Sequence, residues 1–117
     1  MFVRNFMTPD PVFVSPDDNF HQATHILRKQ GVRHLPVLEK NRLVGIVVEK
    51  DLLSNQPSQA TTLSLYEIYS LLETLRIRQI MSRPVITVEG DCPLEDAARI
   101  MVEHKISCLP VMDGEKL

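Results

Sequence analysis

Two stretches of the chain carry the same order of apolar and polar positions. Each opens on a short β-branched run, passes to an apolar stripe at helical spacing, and closes on a second apolar run and a polar turn. The opening runs are Val12-Phe13-Val14 and Val85-Ile86-Thr87-Val88, bounded by proline or glycine, and both predict extended backbone. The first helical stripe is Phe20, Ala23, Ile26 and Leu27. Asp17 and Asp18 stand before it as capping carboxylates, and Gly31 stands where a left-handed residue ends a helix. The second stripe is Leu94, Ala97, Ile100 and Met101, with Pro93 suited to the first helical position and Lys105 in place of the glycine. Leu35-Pro36-Val37-Leu38 and Leu109-Pro110-Val111-Met112 then predict strands. Polar turns over 39–42 and 113–116 make each the first arm of a hairpin, with return strands beginning at Leu43 and Leu117. The first return strand runs to Val48 and enters Glu49-Lys50-Asp51-Leu52-Leu53, where Asp51 suits the cap of a short closing helix.

The likeness is a register, not only a rhythm. An offset of 74, the difference between Met81 and Met7, lays Met7–Leu43 on Met81–Leu117 without a gap and makes nine of 37 positions identical. Average composition gives roughly two or three. Several differences conserve volume, such as Val12 with Ile86, Phe20 with Leu94, Leu27 with Met101 and Val32 with Ile106. The pattern predicts an α+β fold of two pseudo-symmetric β-α-β-β-α units: 1–54, and 80–117 with its last strand and helix lacking. Between them, 55–79 reads as a loop followed by a connector helix over Ser64–Leu75, opened by a Ser64/Glu67 capping box and striped by Leu65, Ile68, Leu72 and Leu75. Units near 50 residues are too small to close a core alone, so the two should pack as one module. An unfinished second unit leads us to expect that the reading frame continues past Leu117, or that the isolated chain is destabilised.

Composition narrows the chemistry. The chain of 117 residues is 44% hydrophobic and 24% charged with a net charge of −2, a soluble globular profile without a field to gather nucleic acid or anionic lipid. It has no apolar run of about 18 residues and no signal-like N-terminus, which points to a cytoplasmic protein without a membrane partner. Aromatics make up 5% with no tryptophan, and no basic stripe runs along the chain, so nucleic-acid binding is not expected. Cys92 and Cys108 lack paired spacing and read as reduced thiols. His21 and His25 lie one helical turn apart, but no third ligand accompanies them, and no metal site is expected. Nucleophile-elbow, phosphate-loop and dinucleotide signatures are missing, so no enzyme is expected.

Motif by motif, the chain resembles the CBS family. Met7-Thr8-x-x-Pro11, Ala23, Gly31-Val32-Arg33-His34-Leu35-Pro36-Val37 and Gly45-Ile46-x-x-x-x-Asp51 resemble one CBS motif. Met81-Ser82-Arg83-Pro84, Ala97 and Ile106-Ser107-Cys108-Leu109-Pro110-Val111 resemble a second. The stretch Ala60–Glu67 is similar to small bacterial CBS proteins of the acetoin-utilisation type. The resemblance implies a tandem (Bateman) module with pseudo-symmetric clefts for AMP, ADP, ATP or an S-adenosyl compound as regulatory ligand, with no cofactor required. Carried over by position, the base contacts are Thr8, Val12, Val32, Arg33 and Leu35 in the first copy, and Ser82, Ile86, Ile106, Ser107 and Leu109 in the second. His34 and His104 stand beside them, and Asp51 is the ribose carboxylate, while Val48 occupies the place of the family's threonine. The second copy supplies no such carboxylate, because its position lies beyond Leu117. The function implied is non-catalytic regulation, transmitting ligand state to an unknown regulated protein, with homodimer formation. The alternative is a homodimerisation and interaction module without a small ligand.

Overall fold

The computed structural model describes residues 1–54 and 74–117. The expected loop and nearly all of the expected connector helix lie outside the described residues. A 3-10 turn at Val3–Asn5 is followed by α1 (Phe20–Gln30), β1 (His34–Glu39), β2 (Arg42–Val48) and α2 (Glu49–Ser54). The second half contributes α3 (Ile77–Ile80), β3 (Val88–Glu89), α4 (Leu94–His104) and β4 (Val111–Met112).

The repeat is kept in three dimensions at the offset read from the sequence. Adding 74 to both ends of α1 gives both ends of α4. Gly31 and Lys105 end them in the same left-handed conformation, at φ +65° and +54°. The glycine adopts it freely, whereas the lysine does so against the crowding of its own Cβ. The caps differ from expectation. Asn19, not Asp17 or Asp18, caps α1: its Oδ1 accepts the Gln22 N–H at 2.9 Å, while Gln22 Oε1 accepts the Asn19 N–H at 2.7 Å. Asp18 is already engaged, accepting the Ser15 N–H at 2.9 Å. Pro93 is the residue before α4 and not its first, because its ψ of 140° is extended. Asp51 likewise falls inside the first turn of α2, which begins at Glu49.

β1 and β2 form an antiparallel hairpin whose Glu39↔Arg42 pair encloses Lys40 and Asn41, both at positive φ, the geometry that matches the twist of paired strands. Of the opening runs only Val14 and Val88 enter a ladder, Val14 beside Val37 and Val88 beside Val111, both parallel and again 74 apart. The turn of the second repeat closes over Asp113↔Lys116, the counterpart of Glu39↔Arg42.

The main chain extends the duplication to residue 1. Val3 donates to Cys92 O and Arg4 to Gly90 O, while Ile77 donates to Asp18 O and Arg78 to Pro16 O. Each donor and each acceptor is shifted by 74 from its counterpart. The segment that enters each repeat therefore packs against the other repeat. Ile77 is wholly buried in the first core with Val14, Phe20, Ala23, Leu27, Leu35, Val37, Val47 and Leu52. Val3, 7% exposed, completes the second core with Val88 and Ala97.

A second junction lies at β2. Ile46 and Ser82 exchange main-chain hydrogen bonds of 3.1 and 2.8 Å, and next to them Met81 covers Gly45 so closely that an added Cβ would stand 2.5 Å from its Sδ and 2.9 Å from its Cγ. Glycine is required there by the approach of the second repeat, not by its own backbone angles.

Two outcomes follow. Ile77→Ala should lower the unfolding free energy by about 2–5 kcal/mol, and Val3→Ala, in a more open core, by less, as measured by urea unfolding. Gly45→Val should cost about 1–3 kcal/mol by overpacking, and adding Met81→Ala should recover part of that loss in a double-mutant cycle.

Candidate functional site

The two repeats border an open cavity of about 1570 Å³. Its first wall comes from the entry to the first repeat, Thr8 to Val12, and from the turn between α1 and β1, Val32 to His34. The opposite wall is Ser107, Cys108 and Leu109, the same turn 74 residues on, with Val88 and Val111 behind it. Val3, Val12, Val32, Val88, Leu109 and Val111 give the lining its apolar part. Both turns are anchored alike, Val32 N–H to Leu27 O at 3.1 Å and Ile106 N–H to Met101 O at 3.0 Å.

One side-chain contact crosses between the repeats inside this cavity. His34 Nε2 lies 2.9 Å from Ser107 Oγ. Burial, and secondarily the neighbouring Arg33 charge, hold the His34 pKa below its ordinary value, so the neutral ring is favoured. Burial pushes the Cys108 thiol pKa up, which keeps it protonated and unreactive.

Seven of the residues singled out from the sequence line the cavity: Thr8, Val12, Val32, Arg33, His34, Ser107 and Leu109. Leu35 is fully buried in the first core and does not line it. Asp51 and Ser82 meet elsewhere, beside the Ile46–Ser82 junction, with Ser82 Oγ 3.5 Å from Asp51 Oδ2. Ile86 is half-buried between Val85 and Thr87, which line a smaller cavity of about 730 Å³ with Arg42 and Arg83. Ile106 is half-buried beneath its turn, and His104 is exposed at the end of α4.

Arg4 also lines the larger cavity, as do charged residues not singled out, among them Asp91, Asp113 and Lys116. Their signal was in the repeat. Arg4 is the counterpart of Arg78, whose guanidinium reaches Glu39 at 2.6 Å and Asp17 at 3.5 Å, and those acids correspond to Asp113 and Asp91. Arg4 instead lies over the Phe2 ring, 4.6 Å from its centroid.

Among the described residues, no three His, Cys, Asp or Glu side chains are grouped to hold a metal ion, and no helix is long and apolar enough to cross a membrane.

Comparison with known proteins agrees with this geometry. The sequence profile of the CBS domain matches residues 3–58 and 77–117, two segments whose starts are again 74 apart. The fold superposes on a Vibrio cholerae protein described as an acetoin utilization protein, at 29% identity and TM-score 0.81, covering 100% of this chain and 80% of that one. It superposes on CBSX2 in complex with AMP at 31% identity and TM-score 0.80, covering 99% and 86%. The CBS domain pair of protein MJ0100, in complex with 5-methylthioadenosine and S-adenosyl-L-methionine, is 26% identical with TM-score 0.79, covering 99% and 83%. The chain spans 20% of the length of the first two curated relatives it matches, both enzymes by name.

The lowered His34 pKa fixes a pH dependence. Between the folded value and the ordinary value of about 6.5 the unfolded chain binds more protons. Stability should therefore rise with pH across that window and level off above it. His34→Gln should remove this contribution, and proton NMR titration of the ring should place its midpoint below 6.5.

Proposed function

The chain belongs to the CBS-domain family, and from that membership we propose that it is a non-catalytic regulatory module holding an adenine-containing ligand in the larger cavity between its repeats. The observation that carries this reading is the shared lining. Val12, Val32 and Leu109 offer apolar walls for a flat base, and Thr8, Arg33, His34 and Ser107 add polar groups from both repeats, the composition of a small-molecule site. A ligand contacting both repeats would alter their junction and so carry its state to a partner protein.

The charge of the lining narrows the ligand. Arg4, Arg33 and Lys116 face Asp10, Glu89, Asp91 and Asp113, three cations against four carboxylates. Such a wall disfavours a triphosphate and suits a monophosphate or the positively charged sulfonium of an S-adenosyl compound.

A second reading is homodimer formation without a small ligand. Phe2, Phe13 and Val102 are large, apolar and exposed, and support it. Localisation in the cytoplasm fits either reading.

Thermal unfolding with AMP, ADP, ATP and S-adenosylmethionine tests the proposal. AMP or S-adenosylmethionine should raise Tm by about 5 °C or more at a hundredfold excess over Kd, and ATP should raise it least. Arg33→Ala and Val32→Asp should reduce the shift. No shift with any of the four at millimolar concentration, together with a dimer in sedimentation velocity, would replace this reading with the second.

A further inference from the structure

The smaller cavity, of about 730 Å³, is also walled by both repeats. It lies between the first residues of β2, Arg42 to Val44, and the segment that enters the second repeat, Arg83 to Val85 with Thr87. None of its lining comes from the α-to-β turns that wall the larger cavity. Leu43, Val44 and Val85 are half-buried and form its apolar part, while Arg42, Arg83 and Thr87 are exposed.

Two cations from different repeats line this cavity, and nothing described neutralises them. Among the described residues neither Arg42 nor Arg83 has an ion-pair or side-chain hydrogen-bond partner. Glu39, the cross-strand neighbour of Arg42, is taken by Arg78 at 2.6 Å. Of the two carboxylates in the lining, Glu89 accepts the Gly114 N–H at 3.3 Å, and Glu115 stands on the exposed turn. Two like charges at one cavity disfavour each other unless an anion joins them. The repeat shows that the fold does not require them there. At the offset of 74, Arg83 corresponds to Pro9, Thr87 to Phe13 and Arg42 to Lys116. The first repeat thus forms the same entry segment with no cation or hydroxyl in those two places, and Phe13, where Thr87 has its counterpart, is 54% exposed.

We propose that the smaller cavity is an anion site, which holds the phosphoryl group of a small molecule across the two repeats. Two guanidinium forks and the Thr87 hydroxyl match the three terminal oxygens of a phosphate monoester better than the two of a carboxylate. The half-buried Leu43, Val44 and Val85 receive the apolar body of the ligand, and the volume falls within the roughly 300–1,000 Å³ of small-molecule sites. Arg42 is carried by β2, and Arg83 follows Ser82, which exchanges main-chain hydrogen bonds with Ile46 of the same strand. A phosphate held by both arginines therefore ties the second repeat to the hairpin of the first. The site is separate from the larger cavity and does not depend on the adenine-ligand reading.

Inorganic phosphate is the probe, titrated into the intact chain beside sodium chloride of matched ionic strength. Phosphate should raise Tm saturably, by about 3 °C or more at about twentyfold excess over Kd, and chloride should not. Amide perturbations by NMR should fall on Arg42, Leu43, Arg83 and Thr87. Arg42→Gln and Arg83→Gln should each weaken the phosphate Kd about tenfold or more. Both side chains are exposed, so these substitutions should leave the fold intact. Arg33→Ala, on the larger cavity, should weaken AMP and not phosphate. No saturable shift, an equal shift with chloride, perturbations confined to Val32, His34 and Ser107, or an equal loss of phosphate binding with Arg33→Ala would overturn the proposal.

Discussion

Ile77 is wholly buried in the core of the repeat that it does not belong to by sequence, and the whole arrangement depends on that exchange. A unit of about 40–50 residues cannot bury enough apolar surface to offset the entropy of ordering its chain. Each repeat here gives the other its entry segment, Val3 to the second core and Ile77 to the first, anchored by matching pairs of main-chain hydrogen bonds. The crossing makes one module of two units. It also brings the two α-to-β turns face to face, and so creates the cavity.

The junctions are the points through which a bound ligand could act. His34 and Ser107 touch across the larger cavity, while Met81 on Gly45 and Ser82 on Ile46 fasten the second repeat to the hairpin of the first. A molecule between the turns would lie against the His34–Ser107 contact, where both repeats meet. The half-buried neutral His34 adds a titratable group at the centre of the same junction.

Much of the fold was legible in the sequence. Nine identities at one offset carried the duplication, and the stripes from Phe20 and Leu94 placed both helices within a residue or two, since helical burial repeats every three to four positions along the chain itself. The hairpin turn at Lys40-Asn41 was legible for the same local reason. The site was legible in part. Seven residues chosen by position meet in one cavity, but Asp51 and Ser82 face each other at another junction, and Leu35 is core. The caps were misplaced because Asp17, Asp18 and Asn19 are all capable acceptors, and the choice fell to which backbone N–H each could reach.

By itself the sequence determined what depends on neighbours along the chain: the repeat and its offset, the helices, the hairpin and the family. Only the tertiary structure decided which repeat each entry segment serves. Val3 and Ile77 carry no local mark of the core they enter, because apolar burial has no direction and reads the same from either side. It also decided that the equal turns at Arg33-His34 and Ser107-Cys108 would meet. Those are relations between residues far apart along the chain, such as Val3 with Cys92 and Ile77 with Asp18, fixed by packing and invisible to any short window of sequence.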